Sequence, residues 1–134
     1  MNQRIAQISL LVNDYDEAIE FYTQKLGFDL VEDTTLNPEK RWVVISPKGS
    51  YACNLLLAKA TDEEQISRIG NQTGGRVFLF LYTDNFKKDY KNLKEKGITI
   101  ISEPRYETYG SVLVFEDLYG NKWDMIEPKI LTEN

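Results

Sequence analysis

The chemistry open to this chain is limited first by an absence: none of its 134 residues is histidine. That removes the commonest acid/base near neutral pH, the Ser/His and Cys/His nucleophile pairs, and the most frequent metal ligand. Carboxylates, amides and aromatics remain. Asp124 stands in mid-strand between Trp123 and Met125, where a carboxylate is costly to bury unless it is paired or used. In a dry cleft its pKa would rise, and it could serve as general acid or base without any histidine. The other reading is an ion pair with Arg41 or Arg76 across a sheet. Cys53, the single cysteine, can form neither an internal disulfide nor a thiolate zinc site, and with no histidine to activate it reads as a small packed residue. Asp117, within Asp117-Leu118-Tyr119-Gly120-Asn121, reads as a turn aspartate bonded to its own backbone.

The elements that position these residues repeat at an offset of 70. Gln7 to Asp14 reads as a strand entering an acidic helix cap, and Val77 to Asp84 does the same. Thirteen residues further on come Gly27 and Gly97, the spacing of a three-turn helix closed by a C-cap glycine. Strands follow at Phe28 to Val31 and Ile98 to Ile101. The same offset pairs Arg41 to Ile45 with Ser111 to Phe115, and Asn54 to Leu57 with Asp124 to Glu127. Both halves read β-α-β-β-β, which makes the fold class α+β with two tandem modules of mixed sheet. Asp14 and Glu17 form a capping-box pattern. Ala18, Phe21, Tyr22 and Leu26 give the first helix its apolar stripe, and Phe86, Tyr90 and Leu93 the second. The expected organisation is a first module over 1–61, a linker over 62–75 with a short helix around Glu63 to Ile69, and a second module over 76–134. Each half is too small for a comfortable core of its own, so association within the chain or across a dimer is expected.

Composition sets the class. With 42% hydrophobic and 28% charged residues the chain reads as a soluble globular domain, neither disordered nor membrane-inserted. Sixteen basic against 21 acidic residues give a net charge of -5, which argues against nucleic acid as a partner. The lysines at 87, 88, 91, 94 and 96 read as one solvated helix face. The scarcity of cysteine and the lack of a signal-like apolar segment point to the cytoplasm, with no membrane association.

The residues also resemble a family. Ile5-Ala6-Gln7-Ile8 leading to Val12-Asn13-Asp14, then Phe21-Tyr22 and Leu26-Gly27-Phe28, is similar to the opening module of the vicinal oxygen chelate superfamily of glyoxalases, bleomycin-resistance proteins and dioxygenases. Pro104, Tyr109-Gly110, Phe115-Glu116-Asp117 and Gly120-Asn121 before Trp123-Asp124 resemble its closing module. The resemblance implies a glyoxalase-like cleft lined by both modules, a homodimer, and in the catalytic members a divalent metal. The positions it implies for metal ligands are Gln7, Asn54, Val77 and Asp124. Asn54 replaces an expected glutamate and Val77 an expected histidine. Two amides and one carboxylate lack the charge and nitrogen that nickel, zinc or iron favour, so no tightly held metal and no other cofactor is expected. The expected function is binding of a small organic molecule. Ligand-binding candidates are Gln7, Ser9, Trp42, Asn54, Tyr106 and Tyr109, with Asp124 as the candidate catalytic residue. The alternative is a metal-dependent lyase or isomerase of glyoxalase type, or a dioxygenase, using nickel, zinc, iron or manganese.

Overall fold

The structure, a computed structural model, describes residues 1–49 and 53–129. Two compact units divide the chain, Met1–Ile69 and Gly70–Asn134. In the first, strand β1 (Gln7–Val12), helix α1 (Tyr15–Glu20), a π-helical turn (Phe21–Lys25) and strands β2 (Asp29–Asn37), β3 (Lys40–Ser46) and β4 (Asn54–Lys59) precede a short helix α2 (Glu63–Arg68). In the second, β5 (Leu79–Tyr82) and α3 (Phe86–Glu95) lead to β6 (Ile100–Glu107), β7 (Gly110–Glu116) and β8 (Lys122–Pro128). The two sheets have matching orders, β1-β4-β3-β2 and β5-β8-β7-β6. In each the first strand runs parallel to the last and the other pairs are antiparallel. This is the α+β tandem arrangement read from the sequence. No described helix is long and apolar enough to cross a membrane.

Helices α1 and α3 each cover one face of their own sheet, and strand alternation decides which residues lie beneath them. Leu10, Val12, Val43, Ile45, Leu55 and Leu57 are buried with Ala18, Phe21 and Tyr22 of the first helical segment. Phe86 and Leu93 of α3 are buried with Leu113, Phe115, Trp123 and Met125, where the Phe115 and Trp123 rings stack with centroids 5.9 Å apart. Removing such side chains from water contributes roughly 1.5–3 kcal/mol each, which is how sheets of only four strands hold together.

The helices depart from the expected exact repeat. Asp14 caps α1, its Oδ1 accepting from Glu17 N–H at 3.0 Å. In the second unit the cap is Asn85, not Asp84, with Oδ1 accepting from Lys88 N–H at 3.2 Å. Thr83 fixes this start, its hydroxyl accepting from Asn85 N–H and donating to Asp89 Oδ2, while Glu127 accepts from Phe86 N–H at 2.7 Å. The closing glycines, Gly27 and Gly97, both take the left-handed conformation, at φ 76 and 69. The first segment therefore holds one residue more between cap and glycine. Instead of the expected uninterrupted α-helix it forms a π turn, with Leu26 N–H bonding Phe21 C=O and Phe28 N–H bonding Tyr22 C=O. The matching bond in the second unit, Ile98 N–H to Leu93 C=O, spans one residue fewer. The extra residue is absorbed as a wider turn.

Candidate functional site

Away from its helix, each sheet presents a second face. In the first unit Gln7 is in register with Asn54, and Ser9 with Leu56, across the parallel β1–β4 pair. Val44 lies opposite Leu56, and Trp42 shares Val44's side of β3 by alternation. Four of the sequence candidates, Gln7, Ser9, Trp42 and Asn54, therefore share the face turned away from α1. Gln7, Leu56 and Trp42 are partly exposed, whereas Val44 is buried. Glu32 continues the Ser9–Leu56–Val44 rung on β2 and accepts from the Thr34 hydroxyl at 3.0 Å.

In the second unit Asp124 is in register with Phe80 on β5 and Val114 on β7. The next rung holds Tyr82, Ile126, Val112 and Arg105. Phe80 and Tyr82 are 62% and 69% exposed, so this face carries two open aromatic rings beside a carboxyl group. Asp124 Oδ1 is buried and has no hydrogen-bond partner among the described residues. Burial raises the Asp124 pKa above the ordinary carboxylate value, against a smaller lowering by the Arg105 charge.

The other reading of Asp124, an ion pair with Arg41 or Arg76, gives way to this arrangement. Arg41 is committed within the first unit, its guanidinium bonding Asp33 at 2.7 and 3.1 Å and Asp16 at 2.9 Å and lying 5.2 Å from the Tyr15 ring centre. The Asp33 carboxyl is held below its ordinary pKa by the Arg41 hydrogen bond, against a smaller opposing effect of burial. Arg41, Asp16 and Tyr15, with Thr35 and Lys59, line a concavity of about 620 Å³ on the α1 side, away from Gln7 and Asn54. Its strongest polar groups already bond one another.

The remaining candidates separate as well. Tyr106 belongs to β6 rather than to a loop, is in register with Ser111, and sets its ring edge-on to Phe86 of α3 with centroids 6.3 Å apart. It is thus on the helix side, opposite Asp124. Tyr109 stands in the β6–β7 turn, where its carbonyl accepts from Lys129 N–H. Asp117 takes the expected turn role: it is buried, and its carboxylate accepts from the Tyr119 and Asn121 N–H groups and from the Asn121 side chain. Phe80, Tyr82 and Arg105 were not among the candidates. The alternation of Phe80 and Tyr82 along β5, placing both beside Asp124 and Ile126, was the signal that could have found them.

The ladders also realign the repeat. Val44 and Val114 are equivalent at the expected offset, yet Val44 faces Leu56 while Val114 faces Asp124. The β3–β4 connection, 47–53, is two residues longer than the β7–β8 connection, 117–121. Asp124 therefore corresponds to Leu56, and Asn54 to Lys122. Val77 precedes β5 altogether, and it is Phe78 whose N–H bonds Lys122 C=O.

This bears on a metal. The first unit offers two neutral amides on one rung, and the Asp124 rung offers Phe80 and Val114, neither of them a ligand. Among the described residues no group of three His, Cys, Asp or Glu side chains is placed to hold an ion. This donor set does not fit a first-row metal centre, which wants imidazole, thiolate or several carboxylates.

Two four-stranded sheets, each parallel at one end and covered by a helix on one face, define a tandem β-α-β-β-β protein. Residues 4–125 match the Glyoxalase/Bleomycin resistance protein/Dioxygenase superfamily, and the chain belongs to it. An uncharacterised protein of Shewanella frigidimarina is 56% identical over 95% of this chain and 95% of its own length. The uncharacterised protein YurT of Bacillus subtilis is 34% identical over 92% and 98%. Among solved structures, UcmS2 has a TM-score of 0.82 at 30% identity, covering 95% of this chain and 99% of its own. TnmS3, an antibiotic binding protein from Streptomyces sp. CB03234, has a TM-score of 0.78 at 27% identity, covering 96% and 98%.

Proposed function

We propose that this protein binds a small organic molecule with a flat aromatic body, on a sheet face turned away from its helix, without a tightly held metal. The observation that carries this reading is the pair of open rings, Phe80 and Tyr82, set beside the unpartnered carboxyl oxygen of Asp124. Exposed aromatic side chains next to a few placed polar groups are the usual furnishing of small-molecule sites. The likeness to TnmS3, an antibiotic binding protein, supports a small-molecule ligand. Family membership adds no reaction to this, because one fold serves many chemistries.

The test is a fluorescence titration with proflavine, a planar aromatic cation, and in parallel with bleomycin, the drug in the family's name. Saturable binding of at least one, weakened about tenfold by Phe80→Ala or Tyr82→Ser, is the expected result. Both substitutions fall on exposed side chains, so folding is retained. Binding of neither probe overturns the reading.

A further inference from the structure

Gln7 and Asn54 stand side by side on neighbouring parallel strands, in register and on the same face. Partners of a ladder lie about 4.8 Å apart, close enough for both carboxamides to reach one ligand edge. Neither side chain has a hydrogen-bond partner among the described residues, and both are half-buried. A carboxamide is both a double donor and an acceptor. Two uncommitted amides beside one another can thus turn towards a ligand a neutral row in which donors flank an acceptor.

The rest of the face fits the body of such a ligand. Moving along the strands from the amide pair, the next rung is Ser9, Leu56 and Val44, and beyond it stand Ala58 and Trp42. Ala58 lies four residue steps beyond Asn54 along β4, roughly 13 Å at the usual rise. On β4 and β3 the floor is apolar in its middle, at Leu56 and Val44, with amide at one end and indole at the other. Glu32, at the β2 end of the middle rung, is already bonded to Thr34.

We propose that this face recognises a neutral, elongated, planar heteroaromatic by an edge bearing an N–H between two carbonyls, an imide or ureide. Gln7 and Asn54 read that edge and Trp42 contacts the far end of the ring system. The proposal rests on the reading above that this protein binds small molecules, and it adds a ligand class for the sheet face of the first unit taken by itself. The positions at which metal-using relatives are expected to hold an ion are, in this chain, a reader of uncharged hydrogen-bonding groups. Burying donors and acceptors against a ligand lacking their partners is costly, so the amide pair selects for the edge and not merely for flatness.

The experiment compares lumiflavin, a tricyclic molecule with an imide edge at one end, with 3-methyllumiflavin, in which that N–H is replaced. Flavin fluorescence is titrated with wild type and with Asn54→Leu and Gln7→Leu, whose folding is checked by thermal melting. The expected result is binding of lumiflavin about tenfold tighter than its methylated analogue, with the ratio falling towards one in either variant. Equal affinity for the two flavins in wild type overturns the proposal without the need for any variant. So does an unchanged ratio in folded Asn54→Leu. If lumiflavin does not bind while proflavine or bleomycin does, the edge reader fails and small-molecule binding stands. If none of the three binds, both readings fail.

Discussion

Asp124 stands in register with Phe80, on the rung that corresponds to Ser9 and Leu56 in the first unit, not on the one that corresponds to Gln7 and Asn54. The carboxylate expected to complete a ligand set is thereby out of step with the amides that would share it. Its neighbours are a phenyl ring and a valine, and its pKa is raised by burial. A carboxyl group whose folded pKa lies above its unfolded value favours folding most when protonated. That contribution is full below the unfolded value and is lost as pH rises through the folded one. Asp124→Asn is expected to melt higher than wild type at pH 7, with the difference shrinking as pH falls to about 4, the ordinary carboxylate range. Thermal melts of both proteins across that interval check the sign; a wild type gaining stability relative to the variant as pH rises would refute it.

Arg41 gives the opposite pH signature. Asp33 is held below its ordinary pKa by the guanidinium, so its contribution is present above the unfolded value and disappears as pH falls through the folded one. Arg41→Ala is expected to cost about 1 kcal/mol at pH 7, since the pairs are only part-shielded from water while the stacking on Tyr15 adds a comparable amount. Urea unfolding should show that the cost falls in high salt and in strong acid towards the share left by stacking on Tyr15. A cost independent of both would point to packing alone.

Asp117 is buried and gathers three donors. Asp117→Ala leaves those donors without an acceptor and is expected to lose about 3 kcal/mol, more than Asp117→Asn, which keeps one carbonyl oxygen. Chemical denaturation of the two variants orders them. Equal losses would mean that the turn keeps its shape without the side chain.

Metal addition is expected to leave the protein unmoved. Nickel, zinc, manganese, iron(II) or cobalt at concentrations well above micromolar should produce no rise in melting temperature, because binding to the folded state would appear as stabilisation. A rise in wild type that is absent from Asp124→Ala would restore a metal centre and the enzymatic reading with it.

The sequence announced most of the architecture because spacing survives divergence. Capping residues, glycine stops and alternating strands each have a local cause, and together they marked both modules. What stayed hidden depended on length differences inside connections. The two residues added before β4 moved Asn54 out of equivalence with Asp124, and only the hydrogen-bonded ladders reveal this. Strand placement likewise decided the fate of Tyr106: composition made it a wall of the site, while its register with Ser111 turned its ring towards Phe86. Arg41 was legible as a polar group but not as one already bound to Asp16 and Asp33, since these partners come from different elements.

The π turn at Phe21–Lys25 marks the place where the first half carries one residue more than the second between cap and glycine. An α-helix advances about 100° per residue, so an added residue propagated through the helix would swing its apolar stripe off the sheet. Confining it to one widened turn leaves Tyr15 and Ala18 above the strands and Phe28 in the core. The turn acts as a slip joint, and it is where the chain should best tolerate losing a residue. A single deletion between Thr23 and Lys25 would convert the first module to the helical length of its twin, while the same deletion in α3 has no slack to draw on.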